Sequence, residues 1–455
     1  MSMGLVLFLL MAALEISLVV YSCNKAAERK VWRKNRLFVC IAETVIAVSA
    51  ILLPFGQRWR LFPVLGLLVI LTLIPVILIL AKRGREEKEK KKAGIIGSCI
   101  MSIFLIGFSL VPAMIFTGYK GLPTSGEYPV RETSAILVDH SRTDPFEQDG
   151  SFREVPVHFY YPKTAEDNTE RFPLVIFSHG AFGYYQSNTS TYMELASNGY
   201  VVAVLDHPHH AFFTKDTDGK TVIADMGFMN AAINLNDDVP AEEQFALYTE
   251  WMALRTSDMN FVLDEVAASC RSGSVDESWF ISGKEYDAVQ TVLHITDISR
   301  IGVMGHSMGG AAAVELGRER NDISAVVDID GTMLSEYTGV ADGELTVREE
   351  AYVCPVLEFN NWKSYHERMA YLEQGGIYPN DVLIQNASEG YAATIRDTEH
   401  MDFTDLPLLS PFLGNMLGSG ERDKAETMTV VNSLVLQFFN HYLKGSGVFS
   451  VQEIY

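Results

Sequence analysis

Cysteine is scarce in this sequence, and its few copies follow no metal-binding pattern. Five cysteines occur among 455 residues, and none belongs to a C-x-x-C pair of the kind that binds zinc or carries redox chemistry. Cys23, Cys40 and Cys99 lie in the apolar first quarter of the chain. That leaves Cys270 and Cys354, whose pairing is possible but is not demanded by any spacing. The composition therefore excludes a disulfide scaffold.

Positive charge is scarce after residue 120, where 20 lysines and arginines face 51 aspartates and glutamates, a net charge of −31. Residues 1–120 instead carry 16 basic against 6 acidic residues, net +10. Such a division predicts two parts of the chain in different surroundings. It also argues against a nucleic-acid partner, because the acidic part would repel phosphates.

Charge is nearly absent from four apolar stretches, at residues 3–20, 37–55, 61–81 and 95–116. Each is about long enough to cross the ~30 Å hydrocarbon core of a bilayer as a helix. Lysine and arginine are concentrated at residues 24–36 and 82–92. Because basic loops stay in the cytoplasm, we predict a four-helix transmembrane region at residues 1–117, with an extracytoplasmic domain after it at the cell membrane. A cleaved signal peptide fits less well, since no basic segment precedes the first stretch. A lipoprotein cleavage site at Cys23 also fits less well, because the basic run after Cys23 favours a retained helix.

Two glutamates interrupt these apolar stretches. Glu15 lies about seven residues from the basic end of the first stretch and Glu43 about six from that of the second. Antiparallel neighbours would therefore bring the two to one depth. A carboxylate inside a membrane is costly and usually marks a function or a buried pairing. Two hypotheses stay open: a shared proton or polar clasp that joins the helices, and a position near enough to the interface to reach water.

One serine lies within the most informative motif of the chain, IGVMGHSMGG at residues 301–310. An apolar run ends there, and small, helix-compatible residues follow. Glycines two positions before and after Ser307 suit a tight strand-to-helix turn, which leaves no room for side chains. Such a turn holds the hydroxyl clear of the sheet and directs the next backbone N–H and the helix N-terminus to the same point. The motif predicts a nucleophilic serine.

A base, an acid and a second oxyanion donor are needed beside such a serine. Residues 172–183, FPLVIFSHGAFG, form a buried-strand pattern that runs into His-Gly, as expected of the second oxyanion loop. We assign the two oxyanion donors to the backbone N–H groups of Ala181 and Met308. Asp330 ends a later apolar run and His400 follows late in the chain, which gives the order Ser, Asp, His of α/β-hydrolases.

The choice of acid needs an argument, because other aspartates lie between the serine and the histidine. They are Asp322, Asp328, Asp342, Asp381 and Asp397. In many enzymes of this fold the acid follows the penultimate strand, but here that strand, at residues 355–359, is followed by two asparagines. Asp330 ends the preceding strand, where side chains project into the site at the carboxyl edge of the sheet. Asp328 shares its face but lies deeper in the apolar run, so we predict Asp330.

Five segments in order along the chain closely resemble the plasma-type platelet-activating factor acetylhydrolases. They read FSHGAFG, LASNGYVVAVLDHPHHA, ITDISRIGVMGHSMGGAAA, VVDIDGTM and TEHMDFTDL. The similarity covers roughly residues 156–444. The resemblance implies a calcium-independent, phospholipase A2-like esterase that removes short or oxidised acyl groups from the sn-2 position, without a cofactor. It also implies the triad Ser307, Asp330 and His400 and the oxyanion donors Ala181 and Met308.

Two segments depart from the family pattern. Residues 216–244 are acidic and lack the family's basic, lipoprotein-facing character. Residues 336–380 are longer or different, which leaves the acyl-chain preference open.

A cluster of histidines, DHPHHA at residues 206–211, raises the question of a metal. A lone His-x-His-His without carboxylate partners at suitable spacing is a weak zinc signal, and the cluster follows an apolar run, at the sheet edge where pocket loops arise. We therefore predict no metal site. The predicted substrate-pocket lining comprises His179, Phe182, His207, His209 and His306.

Strand and helix patterns alternate after a Gly/Pro-rich linker at residues 118–133. Strands are predicted at residues 134–139, 153–161, 174–178, 201–205, 301–304, 325–329 and 356–359. Residues 244–266 and 425–443 have apolar positions at helical spacing. This alternation predicts a mostly parallel sheet with helices on both faces, an α/β-hydrolase fold at residues 134–455. The insert at residues 211–243 is either a lid or acyl-chain wall, or an ordinary surface loop.

Taken together, the motifs predict a membrane-anchored serine esterase that acts on a lipid or small-molecule ester outside the membrane. One alternative is acyl transfer to a membrane acceptor in place of water. Another is a non-catalytic membrane receptor or scaffold on a hydrolase fold, against which the full set of triad and oxyanion residues argues. Head group, acyl length and oligomeric state are left undetermined.

Overall fold

The computed structural model describes residues 2–24, 29–53, 58–81, 91–165, 169–236, 238–280 and 285–455. The chain divides into two units, which are described separately below. The first comprises Met1–Gly121 and Leu406–Leu417, and the second comprises Leu122–Asp405 and Gly418–Tyr455. The boundaries at residues 117 and 134 stay predictions.

Four long helices make up most of the first unit. They are α1 (Met3–Asn24), α2 (Arg29–Leu52), α3 (Phe62–Ala81) and α4 (Lys92–Ile115). All four are long and apolar enough to cross a membrane. Each exposes large apolar side chains, for example Leu10, Phe38, Leu80 and Phe108. Extensive exposed apolar surface marks a membrane or protein contact, so this unit is compatible with membrane association. Residues 25–28 and 82–90, which are parts of the two basic segments that predict its topology, lie outside the described residues.

A charged cluster lies inside this helix bundle. Glu15 of α1 and Glu43 of α2 are fully buried, and Arg36 of α2 forms an ion pair with Glu15. Arg36 Nη2 also donates to Ser102 Oγ of α4 at 2.7 Å. These contacts join α1, α2 and α4 through Arg36, and buried charges in a membrane protein are stable when they are paired. They do not include Glu43, so the polar clasp between Glu15 and Glu43 stays a prediction. The shared proton stays a prediction.

A segment from late in the chain joins the first unit at the end of α4. The Thr117 N–H donates to the Leu409 carbonyl at 2.7 Å, and Ser410 Oγ donates to the Ile115 carbonyl at 2.9 Å. The segment Leu406–Leu417 begins only six positions after His400. Its place in the chain therefore gives no hint of this association, which depends on tertiary contacts alone.

The second unit is built on a sheet of eight strands within the described residues, with two small hairpins beside it. The strands are β1 (Val130–Thr143), β2 (Phe152–Pro162), β3 (Phe172–Ser178), β4 (Val201–Leu205), β5 (Phe213–Lys215), β6 (Thr221–Ile223), β7 (Thr296–His306), β8 (Ile323–Ile329), β9 (Tyr337–Ala341), β10 (Glu344–Val347), β11 (Val356–Asn361) and β12 (Gly390–Ile395). The sheet order is β1-β2-β4-β3-β7-β8-β11-β12. Among the described strand pairs of this eight-stranded sheet, β1–β2 and β2–β4 are antiparallel and the others are parallel. The predicted mostly parallel α/β-hydrolase sheet is confirmed.

Helices lie on both faces of this sheet, because βα crossovers between parallel strands place them there. The helices of the second unit are α5 (Thr189–Ser197), α6 (Met226–Asn234), α7 (Ala241–Ser272), α8 (Tyr286–Ile295), α9 (Met308–Glu319), α10 (Trp362–Glu373), α11 (Pro379–Asn386) and α14 (Lys424–Lys444). The short helices α12 (Leu406–Leu409) and α13 (Pro411–Leu417) belong to the first unit. Strand β3 is buried along its whole length. Its alternate residues face two different cores: Leu174 and Ile176 join one, and Val175 and Phe177 join the other.

Three elements were not foreseen from the sequence: the edge strand β12 and the hairpins β5–β6 and β9–β10. The first half of β12 is only partly buried, so its sequence lacks a continuous apolar run. The insert at residues 211–243 contains the β5–β6 hairpin and α6, and its role as a lid stays a prediction. Cys270 and Cys354 are both free.

Candidate active site

Ser307 occupies the sharp turn between β7 and α9. Its backbone has φ +55° and ψ −127°, a conformation that is strained for any residue other than glycine and is typical of functional turns. The flanking glycines are required by close packing. A Cβ at Gly305 would lie 2.2 Å from the Gly309 carbonyl carbon, and one at Gly309 would lie 2.0 Å from the Ser178 carbonyl oxygen. The predicted strand–turn–helix geometry is present around the serine.

Asp330 follows β8, also at positive φ (+58°), and its carboxylate is held from two sides. His400 Nδ1 lies 2.7 Å from Asp330 Oδ2. Asn361, at the end of β11, donates its backbone N–H to Asp330 Oδ1 at 2.6 Å and its side-chain amide to both oxygens at 2.9–3.0 Å. These contacts keep the carboxylate in the orientation that binds His400 Nδ1.

Asp328 lies in a different environment from Asp330. Its side chain is fully buried in β8, and one oxygen accepts the Gly331 N–H at 3.1 Å. Burial, together with the carboxylates of Glu358 and Asp330, raises the pKa of Asp328 well above its usual range. A carboxyl group whose pKa is raised in this way is a poorer source of the negative charge that an imidazolium needs.

His400 lies beside the turn that carries Ser307. Its ring centre is 4.7 Å from that of His306, and 42% of its side chain is exposed. Partial burial lowers the pKa of His400, but the hydrogen bond to Asp330 and the charge of that carboxylate outweigh it, so the pKa is raised above 6.5. The Ser307 hydroxyl makes no hydrogen bond within the described part of the chain. Catalytic hydrogen bonds often shorten only when substrate is bound.

The second predicted oxyanion loop lies next to the serine. A Cβ at Gly180 would lie 3.2 Å from the Ser307 Cβ. Two of the next backbone N–H groups are engaged: Phe182 donates to the His210 carbonyl and Gly183 to the Gly180 carbonyl, both at 3.1 Å. The N–H of Ala181 has no acceptor among the described residues and is available to a ligand.

The other predicted donor, Met308, is the first residue of α9. The first N–H groups of a helix have no acceptor within the helix, and the helix dipole favours negative charge at this end. The backbone N–H groups of Ala181 and Met308 are therefore available to donate hydrogen bonds to an oxyanion.

A buried polar network, which the sequence analysis did not identify, lies beneath the oxyanion loop. Ser178 Oγ donates to His207 Nε2 at 2.9 Å, and His207 Nδ1 lies 3.0 Å from Asp258 of α7. Burial lowers the pKa of His207 to about 4, so its imidazole is neutral. Arg153 binds Asp258 at 2.7 Å, and Arg255 of α7 contacts the loop carbonyls.

A sequence pattern could have revealed this network. In α7 the buried face is marked by Trp251, Met252, Met259 and Val262. Arg255 and Asp258 fall on the same face at a spacing of three residues, and charged residues are almost never fully buried unless they are paired.

The five predicted pocket residues occupy different environments. His179 and His207 are fully buried, which leaves a substrate no surface to contact. Phe182 packs on Phe228 with ring centres 5.2 Å apart, and His209 stacks on Phe146 at 4.5 Å. His306 is buried beside His400, and burial lowers its pKa well below 6.5.

A cavity of about 800 Å³ lies close to the turn that follows Asp330, the predicted acid, although none of the three predicted triad residues is among those that line it. Its lining includes Thr332, two positions after Asp330, and Ser364, whose hydroxyl accepts a hydrogen bond from Asn361 at 2.9 Å. Tyr248 and Tyr337 stack in its wall with ring centres 5.6 Å apart. The segments that depart from the family pattern supply much of this wall. No group of three or more histidine, cysteine, aspartate or glutamate side chains among the described residues is arranged to hold a metal ion.

One known protein family matches most of the second unit. The family described as "Platelet-activating factor acetylhydrolase, isoform II" matches residues 154–449. The platelet-activating factor acetylhydrolase of Cavia porcellus is 23% identical over 289 residues, which cover 60% of this chain and 58% of the relative. The Gallus gallus protein of the same name is 24% identical, covering 60% of this chain and 63% of the relative. The chain thus spans about three-fifths of the length of these curated relatives.

Two further similarities lie outside animals. A probable 1-alkyl-2-acetylglycerophosphocholine esterase of Arthroderma benhamiae is 26% identical over 183 residues, covering 40% of this chain and 37% of the relative. A ferulic acid esterase structure from Streptomyces cinnamoneus aligns with a TM-score of 0.51 at 22% identity, covering 72% of this chain and 93% of that one. The structural likeness supports the fold.

Proposed function

The chain belongs to the platelet-activating factor acetylhydrolase, isoform II, family, and from this premise we propose that it is a membrane-anchored serine esterase of short-acyl or phospholipid-type esters. The observation that carries the proposal is the hydrogen bond between His400 and Asp330 beside the strained turn at Ser307. The membrane anchor is proposed from the four apolar helices α1–α4.

In the proposed reaction, His400 Nε2 takes the proton of Ser307 as its Oγ attacks the ester carbonyl. Asp330 keeps the other ring nitrogen, Nδ1, in its protonated form and stabilises the imidazolium. The oxyanion is bound by the N–H groups of Ala181 and Met308, each of which is worth about 10²–10³ in rate. His400 then protonates the leaving alcohol, and a water molecule that it activates hydrolyses the acyl-enzyme.

The proposed substrate class is an ester with a short acyl group at the sn-2 position of a glycerophospholipid. Two lines of evidence support this substrate class: the family membership of the chain, and the names of the curated relatives, which specify an acetyl ester. The cavity beside Thr332 offers a candidate binding volume. Because its walls include segments in which this chain departs from its family, the acyl-chain preference must be measured directly.

An ester panel applied to intact cells that carry the full-length chain tests both the chemistry and the proposed orientation. We expect a membrane-impermeant acetyl-glycerophosphocholine to be hydrolysed outside the cells, and faster than its palmitoyl analogue. Free acetate and lysolipid are quantified, with Ser307→Ala cells as the control. Turnover that appears only after permeabilisation would contradict the extracytoplasmic placement, and acetyl transfer to an added alcohol in place of acetate release would indicate an acyltransferase.

The raised pKa of His400 predicts the pH dependence of the reaction. Only the neutral imidazole can accept the serine proton, and a raised pKa keeps the ring protonated up to a higher pH. Activity is therefore lost as the pH falls through a value above 6.5. We expect the acid limb of kcat/KM for p-nitrophenyl acetate, measured between pH 5 and 9, to have an apparent pKa above 6.5. In Asp330→Asn the limb should move to lower pH; an unchanged limb in that variant would argue against the His400–Asp330 pair.

A further inference from the structure

The carbonyl group of Gly180, in the oxyanion loop, is held by three donors. Gly183 donates its N–H at 3.1 Å, His179 donates from Nδ1 at 2.6 Å, and Arg255 Nη2 lies at 3.4 Å. The His179 tautomer is fixed, because its Nε2 accepts the His207 N–H at 3.2 Å. Arg255 Nη1 also binds the carbonyl of His179, so its guanidinium contacts two successive peptide groups.

The direction of this carbonyl determines the direction of the neighbouring N–H. In a trans peptide the C=O and the following N–H point in opposite directions. Because the Gly180 carbonyl points towards Arg255 and His179, the N–H of Ala181 points away from them. The same loop approaches Ser307 closely at Gly180. If this peptide rotated, a carbonyl oxygen would replace the N–H donor and repel the oxyanion.

Arginine is an unusual residue at a position where the side chain only fills space between a helix and its neighbours. The side chain is fully buried in α7, and burial lowers its pKa to about 9. Asp258, one turn away, is engaged by Arg153 and His207. A buried charge is costly, and apolar residues of similar volume often replace buried ionic groups without loss of stability. Helix packing alone does not explain an arginine whose hydrogen bonds go to the oxyanion loop.

We propose that Arg255 is a positioning residue, which holds the Gly180–Ala181 peptide so that the Ala181 N–H faces the reacting carbonyl oxygen. The proposal rests on the esterase function proposed above. It assigns to Arg255 an effect on the transition state, in which the oxyanion forms, and little effect on substrate binding, since the guanidinium is fully buried and cannot contact substrate.

The test uses Arg255→Met in the full-length chain in detergent. We expect kcat for p-nitrophenyl acetate to fall about 10- to 100-fold, less than loss of a whole oxyanion donor, with KM changed less than about twofold. Affinity for a trifluoromethyl ketone should fall by the same factor as kcat. Ser307 Oγ adds to the carbonyl carbon of that inhibitor, the serine proton passes to His400, and the oxyanion of the adduct enters the oxyanion hole.

The matched control is Arg318→Met, because Arg318 also binds a backbone carbonyl, that of Ala351 at 3.1 Å, away from the loop.

The outcomes separate this inference from the proposed function. A folded Arg255→Met protein with wild-type kcat and ketone affinity overturns the role of Arg255 alone, whereas a wild-type chain without Ser307-dependent turnover refutes both. Equal losses in Arg318→Met would show that the effect is not specific to the loop, which also overturns the inference. Should the methionine variant fail to fold, Arg255→Lys keeps the charge but lacks the planar fork whose two nitrogens bind the two carbonyls. It should show a loss in kcat at constant KM, and wild-type kcat in that variant overturns the proposal.

Discussion

Alanine in place of Ser307 is expected to reduce kcat for an acetyl ester by about 10⁶-fold, to the background rate. In the proposed mechanism the Ser307 Oγ is the attacking atom, and no other residue with a hydroxyl group lies in the turn between β7 and α9. The substitution removes one oxygen and keeps the Cβ, so packing changes little. Initial rates on the purified full-length chain, together with labelling by a serine-directed phosphonate, measure the loss.

The control for this experiment is Ser446→Ala, at an exposed serine just after α14. It should retain wild-type turnover and phosphonate labelling. Residual activity in Ser307→Ala above that of a mock preparation, or labelling of that variant by the phosphonate, would show that a different nucleophile carries the reaction.

Asparagine in place of Asp330 is expected to lower kcat by about 10⁴-fold. The amide is nearly the same size, but its NH₂ group cannot stabilise an imidazolium, and it favours the wrong tautomer of His400. Asn361 can still donate to the remaining oxygen, so the fold around the end of β8 should be preserved. KM should change little, and the thermal unfolding midpoint should stay close to that of the wild type.

The matched control is Asp328→Asn, two residues away on the same strand. Because burial and nearby carboxylates raise the pKa of Asp328, a neutral amide of nearly the same size is a close substitute for its side chain. We expect kcat near the wild-type value. A large loss in Asp328→Asn together with a small one in Asp330→Asn would reverse the assignment of the acid.

Local patterns in the sequence predicted the parts of the site that depend on neighbouring residues. The turn around Ser307 is specified by glycines within two positions of it, because backbone atoms approach where a side chain would lie. The strand that leads into Gly180 is specified by a continuous apolar run, since a central parallel strand is buried on both faces. Four helices that are long and apolar enough to cross a membrane follow from length and composition in the same way.

Features that depend on residues far apart in the chain were left open or missed. The sequence favoured Asp330 over Asp328, but the hydrogen bonds that distinguish them come from Asn361 and His400, 31 and 70 positions away. Arg255 lies 75 positions from the carbonyl that it binds. The segment Leu406–Leu417 joins the first unit through α4, nearly 300 positions earlier.

The sequence by itself determined the α/β-hydrolase fold, the serine turn and the apolar helices, because periodicity, glycine placement and apolar length act over a few residues. Only the tertiary structure decided which carboxylate contacts His400, which N–H group of the loop after β3 lacks an acceptor among the described residues, and which buried arginine binds the carbonyls of that loop. Those properties depend on which atoms reach hydrogen-bonding distance after the chain has folded, and on how much water is excluded around them.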